Sequence, residues 1–275
     1  MPSNGVRLLV AYDGTDFAGF QLQPNYRTVQ GALEEALRRV SGEPTRIRFA
    51  GRTDAGVHAL GQVVAFDTDR DLRMRNWVLA LNSNLPHDIA VRAADPCEPG
   101  YDPRHDAVEK RYLYLLHLGV VRDPLLRNRV WHLGKLVRRD FPDRRSLSGA
   151  TNRLDIEVMR RTAQLLVGTH DFRAFRATDD KHKTTIRTIH AATLLENHCN
   201  SPDLLGIEIS GTAFLKNMVR IVTGTLVEVG RGRMTIEQFA ALLQPGAKRV
   251  QAGETAPARG LTLLSVELGR KHHSG

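Results

Sequence analysis

Short runs of apolar and β-branched residues alternate with helical stripes along this chain, and that alternation restricts the fold more than any other feature. Val6–Asp13 (VRLLVAYD) reads as a strand. Thr28 is placed to cap a helix whose Val29, Leu33, Ala36, Leu37 and Val40 form one apolar stripe. Thr45–Ala50 (TRIRFA) alternates as a strand does, and Gln62–Phe66 (QVVAF) is another. Asn76–Leu81 looks helical and Asp88–Arg92 extended. Strand, helix, strand, strand, helix, strand is a split βαβ plan with an antiparallel sheet.

Cys97–Pro103 (CEPGYDP) is a turn-rich break and the candidate domain boundary. Beyond it the plan roughly repeats. Val108–Leu118 reads as a strand, Asp155–Val167 as a helix, Thr184–Leu195 and Leu205–Ile209 as strands. Phe214–Val229 and Thr235–Leu243 read as helices, and Leu261–Leu268 as a closing strand. The polar, Arg-rich Arg138–Arg153 reads as an exposed insertion. The expected fold class is α+β. Two halves of ferredoxin-like type, residues 1–105 and 106–275, would form a largely antiparallel central sheet flanked by helices, with a basic cleft between them.

Composition narrows the setting. Hydrophobic residues make up 41% and charged residues 25%, the balance of a folded globular chain and not of a disordered one. Two cysteines, Cys97 and Cys199, are too few for a disulfide framework or a four-thiolate zinc site, which fits a reducing cytoplasmic compartment. The longest stretches without a charged side chain, Ala55–Phe66 and Asn76–His87, fall short of the ~18 residues of a membrane span. Met1-Pro-Ser-Asn-Gly lacks a basic region followed by an apolar one, so no secretory signal is expected.

With 39 Lys and Arg against 30 Asp and Glu, the formal charge is +9. A polyphosphate such as RNA or DNA is the obvious partner, although a charge run is most often a solvated face. Basic residues cluster at Arg70–Arg75, Lys110-Arg111, Arg138-Arg139, Arg144-Arg145 and Lys181–Arg187. Tyr101, Tyr112 and Tyr114 flank one cluster, and Phe172 and Phe175 precede another. Aromatics beside cations suit stacking on unpaired bases, and equally suit core strands.

The familiar cofactor motifs are missing. There is no Walker A sequence, no Gly-x-Ser-x-Gly elbow, no His-Glu-x-x-His, and no zinc-deaminase pattern. Gly230-Arg-Gly-Arg-Met-Thr follows a helix and lacks the third glycine of a dinucleotide fingerprint. Neither a cofactor nor a metal is expected.

One loop does carry chemistry. Gly51-Arg52-Thr53-Asp54-Ala55-Gly56-Val57-His58 lies between two strands and gathers a cation, a carboxylate and an imidazole. Glycines at 51, 56 and 61 allow sharp turns and close approach of a large substrate. Arg52 and Asp54 are two apart, so on extended backbone they point the same way. An ionised carboxylate there can act as nucleophile or base; equally, Asp54 can cap a turn with Arg52 as its ion-pair partner. The spacing defines a candidate site and no reaction.

The stretch GRTDAGVHALGQVVAF resembles the signature of the tRNA pseudouridine synthase A family. The opening AYDGTDFAGFQLQPNYRTVQGALEEAL, then NSNLPHDIAVRAA, YDPRHDAVEKRYLYLL, GTHDFRAFR with TIRTI, FLKNMVRIVTGTLVEVGRGR and ARGLTLLSVEL resemble the family's other blocks, in its order. The likeness runs from about Val6 to Leu268 and thins between Val120 and Asp155.

The resemblance implies a cofactor-free isomerase that replaces the N1–C1′ bond of uridine in RNA by a C5–C1′ bond. It implies Asp54 as the essential aspartate, attacking C1′ or taking a proton from C2′. It implies Tyr112 as the active-site tyrosine, stacking on the target base and assisting proton removal at C5. It places Arg220, in Asn217-Met-Val-Arg220, as the cation paired with that aspartate, and Leu261 in the uridine pocket. By composition alone Tyr112 is a core aromatic, Arg220 a solvated helix residue and Leu261 the start of a strand. Arg52 would fill the gap left by the extruded base and grip phosphate. Arg73, Tyr101, Arg104, His105, Lys110, Phe172, Arg173, Phe175 and Arg176 fall in segments expected to touch RNA. The implied substrate is the anticodon stem-loop of tRNA at positions 38, 39 and 40, and the implied assembly a homodimer in the cytoplasm, with no membrane partner.

Other readings are a family relative acting on other RNA positions, a catalytically silent RNA-binding protein of the same fold, and a metal-dependent phosphodiesterase built on Asp13, Asp54 and His58. The intact Asp54 motif argues against silence.

Overall fold

A computed structural model describes residues 4–134 and 154–269. The expected insertion Arg138–Arg153 lies outside the described residues. Among those described, ten strands, paired mostly antiparallel, and six α-helices make an α+β protein. The chain forms two compact units, one running to Lys110 and taken up again at Thr262, the other Arg111–Leu261.

The first unit contains β1 (Asn4–Tyr12), α1 (Val29–Ser41), β2 (Arg48–Phe49), β3 (His58–Thr68), α2 (Met74–Asn82), β4 (Ile89–Cys97) and α3 (Pro103–Asp106). In β1 the period-2 pattern buries Val6, Leu8, Val10 and Tyr12 on one face. β1 lies between β4 and β3, antiparallel to both, with Val6 opposite Phe66 and Leu8 opposite Val64. β3 is buried over most of its length, as a central strand should be.

Thr28 caps α1 as expected: its Oγ1 accepts from Gly31 N at 3.2 Å, and Val29, Leu33, Ala36 and Leu37 are buried. Trp77 of α2 meets Phe66 edge-to-face at 5.1 Å. β2 is shorter than the expected Thr45–Ala50. Its predecessor Ile47 gives its N–H to Glu34 of α1 at 3.2 Å, so that donor is lost to any strand pairing. β4 is longer than expected and pairs with β1 as far as Cys97. It is an edge strand, which is where Pro96 is tolerated.

The second unit takes most of β5 (Ala107–His117), then β6 (Trp131–His132), α4 (Ile156–Gln164), β7 (Gly168–Asp171), β8 (Ile186–Leu195), β9 (Leu204–Gly211), α5 (Met218–Gly230) and α6 (Ile236–Ala241). Its strand order is β5-β9-β8-β7, with β6 parallel to β5. Asp155 caps α4 through Val158 N at 2.9 Å, and Thr235 and Gln238 form a capping box on α6. α5 is buried nearly all round, packing on α4 and α6. It starts four residues later than the expected Phe214, because Asn217 adopts φ +61°, a left-handed conformation that does not propagate a helix. β7 was not expected from the sequence; its strand begins where the chain leaves α4 through Gly168 at φ +112°.

The closing strand β10 (Leu261–Leu268) matches its expected bounds. It pairs parallel with β3, Thr262 opposite His58 and Leu263 opposite Ala59. That pairing makes the first unit discontinuous in sequence. Among the described residues no helix is long and apolar enough to cross a membrane.

Candidate active site

The loop between β2 and β3 is clamped from several directions. Ala50 N donates to Val63 O at 2.9 Å, and the Ala50 carbonyl accepts from Lys110 Nζ at 2.7 Å. The next carbonyl, Gly51, accepts from Gln62 Nε2 at 2.8 Å. Thr53 O accepts from Phe20 N at 3.0 Å, and Thr53 Oγ1 shares a buried 2.8 Å hydrogen bond with Tyr12 OH. Beyond Asp54, Val57 N returns to Asp54 O at 3.1 Å and Gly56 N donates to Phe17 O at 3.3 Å. The Asp54 backbone is thereby held on both sides. Burial pushes the Tyr12 hydroxyl up to about 12, with its bonds to Thr53 and Gln62 opposing the rise, so it stays protonated at ordinary pH.

Gly14 makes this packing possible by lacking a side chain, and Gly51 lies close under the Lys110 ammonium. A Cβ on Gly14 would fall 2.6 Å from the Val57 carbonyl carbon, and one on Gly51 would fall 2.9 Å from Lys110 Nζ. Along the loop Arg52 is exposed, Thr53 buried and Asp54 half-buried. This alternation puts Arg52 and Asp54 on the outer side, as their spacing implies.

His58 and Asp13 serve the turn after β1. Buried His58 accepts from Gly14 N at 3.1 Å through Nδ1, which also lies 3.1 Å from Asp13 Oδ1. The same Asp13 oxygen accepts from Thr15 N at 3.0 Å and Thr15 Oγ1 at 2.5 Å. Their visible work is structural.

In the same unit Arg73, Arg104 and His105 are exposed. Tyr101 is buried and gives its hydroxyl to Asp106 at 2.7 Å; burial first, and then that bond, keep the hydroxyl protonated. Lys110 is half-buried, its ammonium turned onto the loop.

The second unit holds the remaining expected residues. Tyr112 is 8% exposed, its ring edge-to-face with Phe214 at 5.0 Å. Leu261 is buried. Arg220, near the start of α5, is half-buried; its Nε donates to Ala256 O and its Nη1 to Asn217 Oδ1, both at 2.7 Å. The left-handed Asn217 that delays α5 is thus also a partner that orients its arginine. Tyr114, two residues after Tyr112, is fully buried with its hydroxyl on Pro257 O at 2.7 Å, and burial raises its pKa strongly.

The aromatic members of the Phe172–Arg176 segment are core residues. Phe172 and Phe175 have no exposed surface; their rings sit 5.9 Å apart, and Phe175 lies 5.6 Å from Phe239. Their faces are spent on the core and are not offered to a base, which corrects the expectation of contact there. Arg173 remains exposed and Arg176 half-buried, its Nη1 on His182 O at 3.2 Å.

Tyr12, Gln62 and the loop-facing role of Lys110 were missed in the sequence. Gln62 had a usable signal: a lone amide inside the apolar run QVVAF has to find a partner once buried.

The chain is similar to known proteins along most of its length. The family described as tRNA pseudouridine synthase matches residues 8–106 and 162–267. The chain is 44% identical over 261 residues to tRNA pseudouridine synthase A of Citrifermentans bemidjiense, covering 95% of this chain and 96% of that one. It is 44% identical over 262 residues to the protein of the same name from Geobacter sulfurreducens, at 95% and 98% coverage. For Chloroflexus aurantiacus the identity is 41%, at 95% and 87% coverage. A solved archaeal box H/ACA sRNP Nop10–Cbf5 complex aligns at 12% identity and a TM-score of 0.28, over 96% of this chain and 58% of that one, too distant to bear on the fold.

The chain belongs to the tRNA pseudouridine synthase family. Its activity is that of an isomerase, a synthase of pseudouridine in tRNA.

Proposed function

We propose that this enzyme converts uridine to pseudouridine in the anticodon stem-loop of tRNA, at positions 38, 39 and 40, with Asp54 as its catalytic carboxylate. The observation that carries the reading is the loop itself. The backbone that carries a half-buried carboxylate is held by bonds on either side, inside the GRTDAGVH motif. A preorganised carboxylate loses little freedom when it meets the sugar.

The reaction detaches the uracil from C1′, turns it, and rejoins it through C5, from which a proton then leaves. In this reading Asp54 acts on the sugar, at C1′ or C2′. Arg220 supplies the positive charge that keeps Asp54 ionised, its guanidinium preoriented by Ala256 and Asn217. Tyr112 stacks on the base and assists loss of the C5 proton, and Leu261 lines the uracil pocket. Arg52 fills the stack after extrusion, which costs a few kcal/mol. Exposed or half-exposed Arg73, Arg104, His105, Arg173 and Arg176 meet phosphates, so the RNA is read mainly by shape and charge. The working form is a homodimer in the cytoplasm.

The test is incubation of unmodified tRNA transcripts with the wild-type protein and Asp54→Asn, followed by carbodiimide treatment and primer extension. Stops in the anticodon arm with the wild type, and none with a variant that still binds the transcript, are expected. Unchanged activity in Asp54→Asn removes this carboxylate from the mechanism; stops elsewhere assign a different RNA position.

A further inference from the structure

Lys110 is the only described side chain whose ammonium is shown bonded to the backbone of the Asp54 loop. It rises from β5, sixty residues away in sequence, and ends 2.7 Å from Ala50 O. The following carbonyl, Gly51, is taken by Gln62 from β3 at 2.8 Å. Two successive carbonyls are therefore gripped by side chains from two different strands, immediately before Arg52 and Asp54. The approach is close: a Cβ on residue 51 would meet the ammonium at 2.9 Å, so the lysine tip would have to shift to admit it.

We propose that Lys110 is a positioning residue for catalysis, holding the Gly51–Asp54 backbone in register for attack, and is not a phosphate contact. The inference rests on Asp54 being the catalytic carboxylate. Burial, with the nearby charge of Arg104 acting in the same direction, brings the ammonium down to about 8. A lysine whose purpose was to meet RNA phosphates would gain by standing in water, where its charge is favoured.

The experiment measures single-turnover pseudouridine formation at saturating tRNA transcript, transcript affinity as a function of salt, and thermal melting, for Lys110→Met, Lys110→Gln and Lys110→Arg. Asp54→Asn runs in parallel. Loss of register by about 1 Å costs on the order of 100-fold in rate. Lys110→Met is expected to lose roughly 10- to 100-fold in single-turnover rate. Its affinity is expected to stay within about twofold of wild type, with an unchanged slope of log affinity on log salt. Lys110→Arg, which keeps a cationic donor, is expected to recover most of the rate. If Lys110→Met does not fold, the comparison of Lys110→Gln with Lys110→Arg decides by the same criteria.

A wild-type rate in the neutral variants overturns the proposal. So does a normal rate with weakened binding and a salt slope reduced by about 1, the mark of one lost phosphate contact. Activity in Asp54→Asn defeats the underlying reading of the loop, whereas an inactive Asp54→Asn beside a fully active Lys110→Met defeats only the role given to Lys110.

Discussion

Replacing Gly14 by alanine tests whether the geometry of the Asp54 loop depends on packing at the end of β1. The added Cβ would sit 2.6 Å from the Val57 carbonyl carbon and 3.1 Å from Val57 N. Ordinary carbon–carbon contact is about 3.5–4.0 Å, so the shortfall is about 1 Å. The obstacle is backbone and cannot rotate away. Relief therefore moves either the turn after Asp13 or the start of β3. Moving the turn strains the 3.1 Å bond from Gly14 N to His58 Nδ1. Moving Val57 carries Asp54 with it, because Val57 N holds Asp54 O at 3.1 Å.

A displacement of about 1 Å at a reacting group costs on the order of 100-fold in rate, and overpacking of this kind costs about 1–3 kcal/mol of stability. The assay is release of tritium from tRNA labelled at C5 of uridine, under single-turnover conditions, with a thermal melt of the same preparation. Gly14→Ala is expected to retain transcript binding and to lose roughly 10- to 100-fold in rate. Its melting temperature should fall by about 2–4 °C for each kcal/mol lost. A variant with the wild-type rate and melting temperature would refute the idea that this close approach sets the position of Asp54.

Two further outcomes follow from the same packing. The Lys110 ammonium titrates at about 8 in the folded protein, against its ordinary 10.5, so between these values the unfolded chain binds more protons and stability rises with pH. Relative to Lys110→Met, the wild type should therefore gain about 2 kcal/mol of unfolding free energy between pH 8 and pH 10; parallel denaturation curves for the two proteins across that range would show that the ammonium is not buried. Tyr12→Phe leaves buried Thr53 Oγ1 without its partner. It should cost about 1–3 kcal/mol by urea denaturation and slow the reaction more than it weakens tRNA binding, and equal stability of the two proteins would contradict the bond's role.

Much of the secondary structure was legible because its causes are local. The apolar alternation of β1, the Thr28 cap and apolar stripe of α1, the helix α4 and the bounds of β10 all depend on residues within a few positions of one another. The Asp54 loop stood out for the same reason, as a cation, a carboxylate and an imidazole packed between glycines in one short segment. The ends of elements were less legible. β2 shrinks to two residues because Glu34, on a preceding helix, takes the Ile47 N–H. α5 starts at Met218 because Asn217 turns left-handed and braces Arg220.

By itself, then, the sequence determined an α+β chain with a candidate aspartate loop and, through its ordered motifs, the family to which it belongs. Only the tertiary structure decided what holds that loop: Lys110 on Ala50, Gln62 on Gly51, Tyr12 on Thr53, and the bare backbone of Gly14 against Val57. It likewise decided that Phe172 and Phe175 fill a core and that the final strand returns to the first unit beside β3. Periodicity and capping record which face of an element is apolar, and they do so over a few residues. Which buried amide, hydroxyl or ammonium meets which carbonyl depends on strands brought together from distant parts of the chain, and no local pattern encodes that pairing.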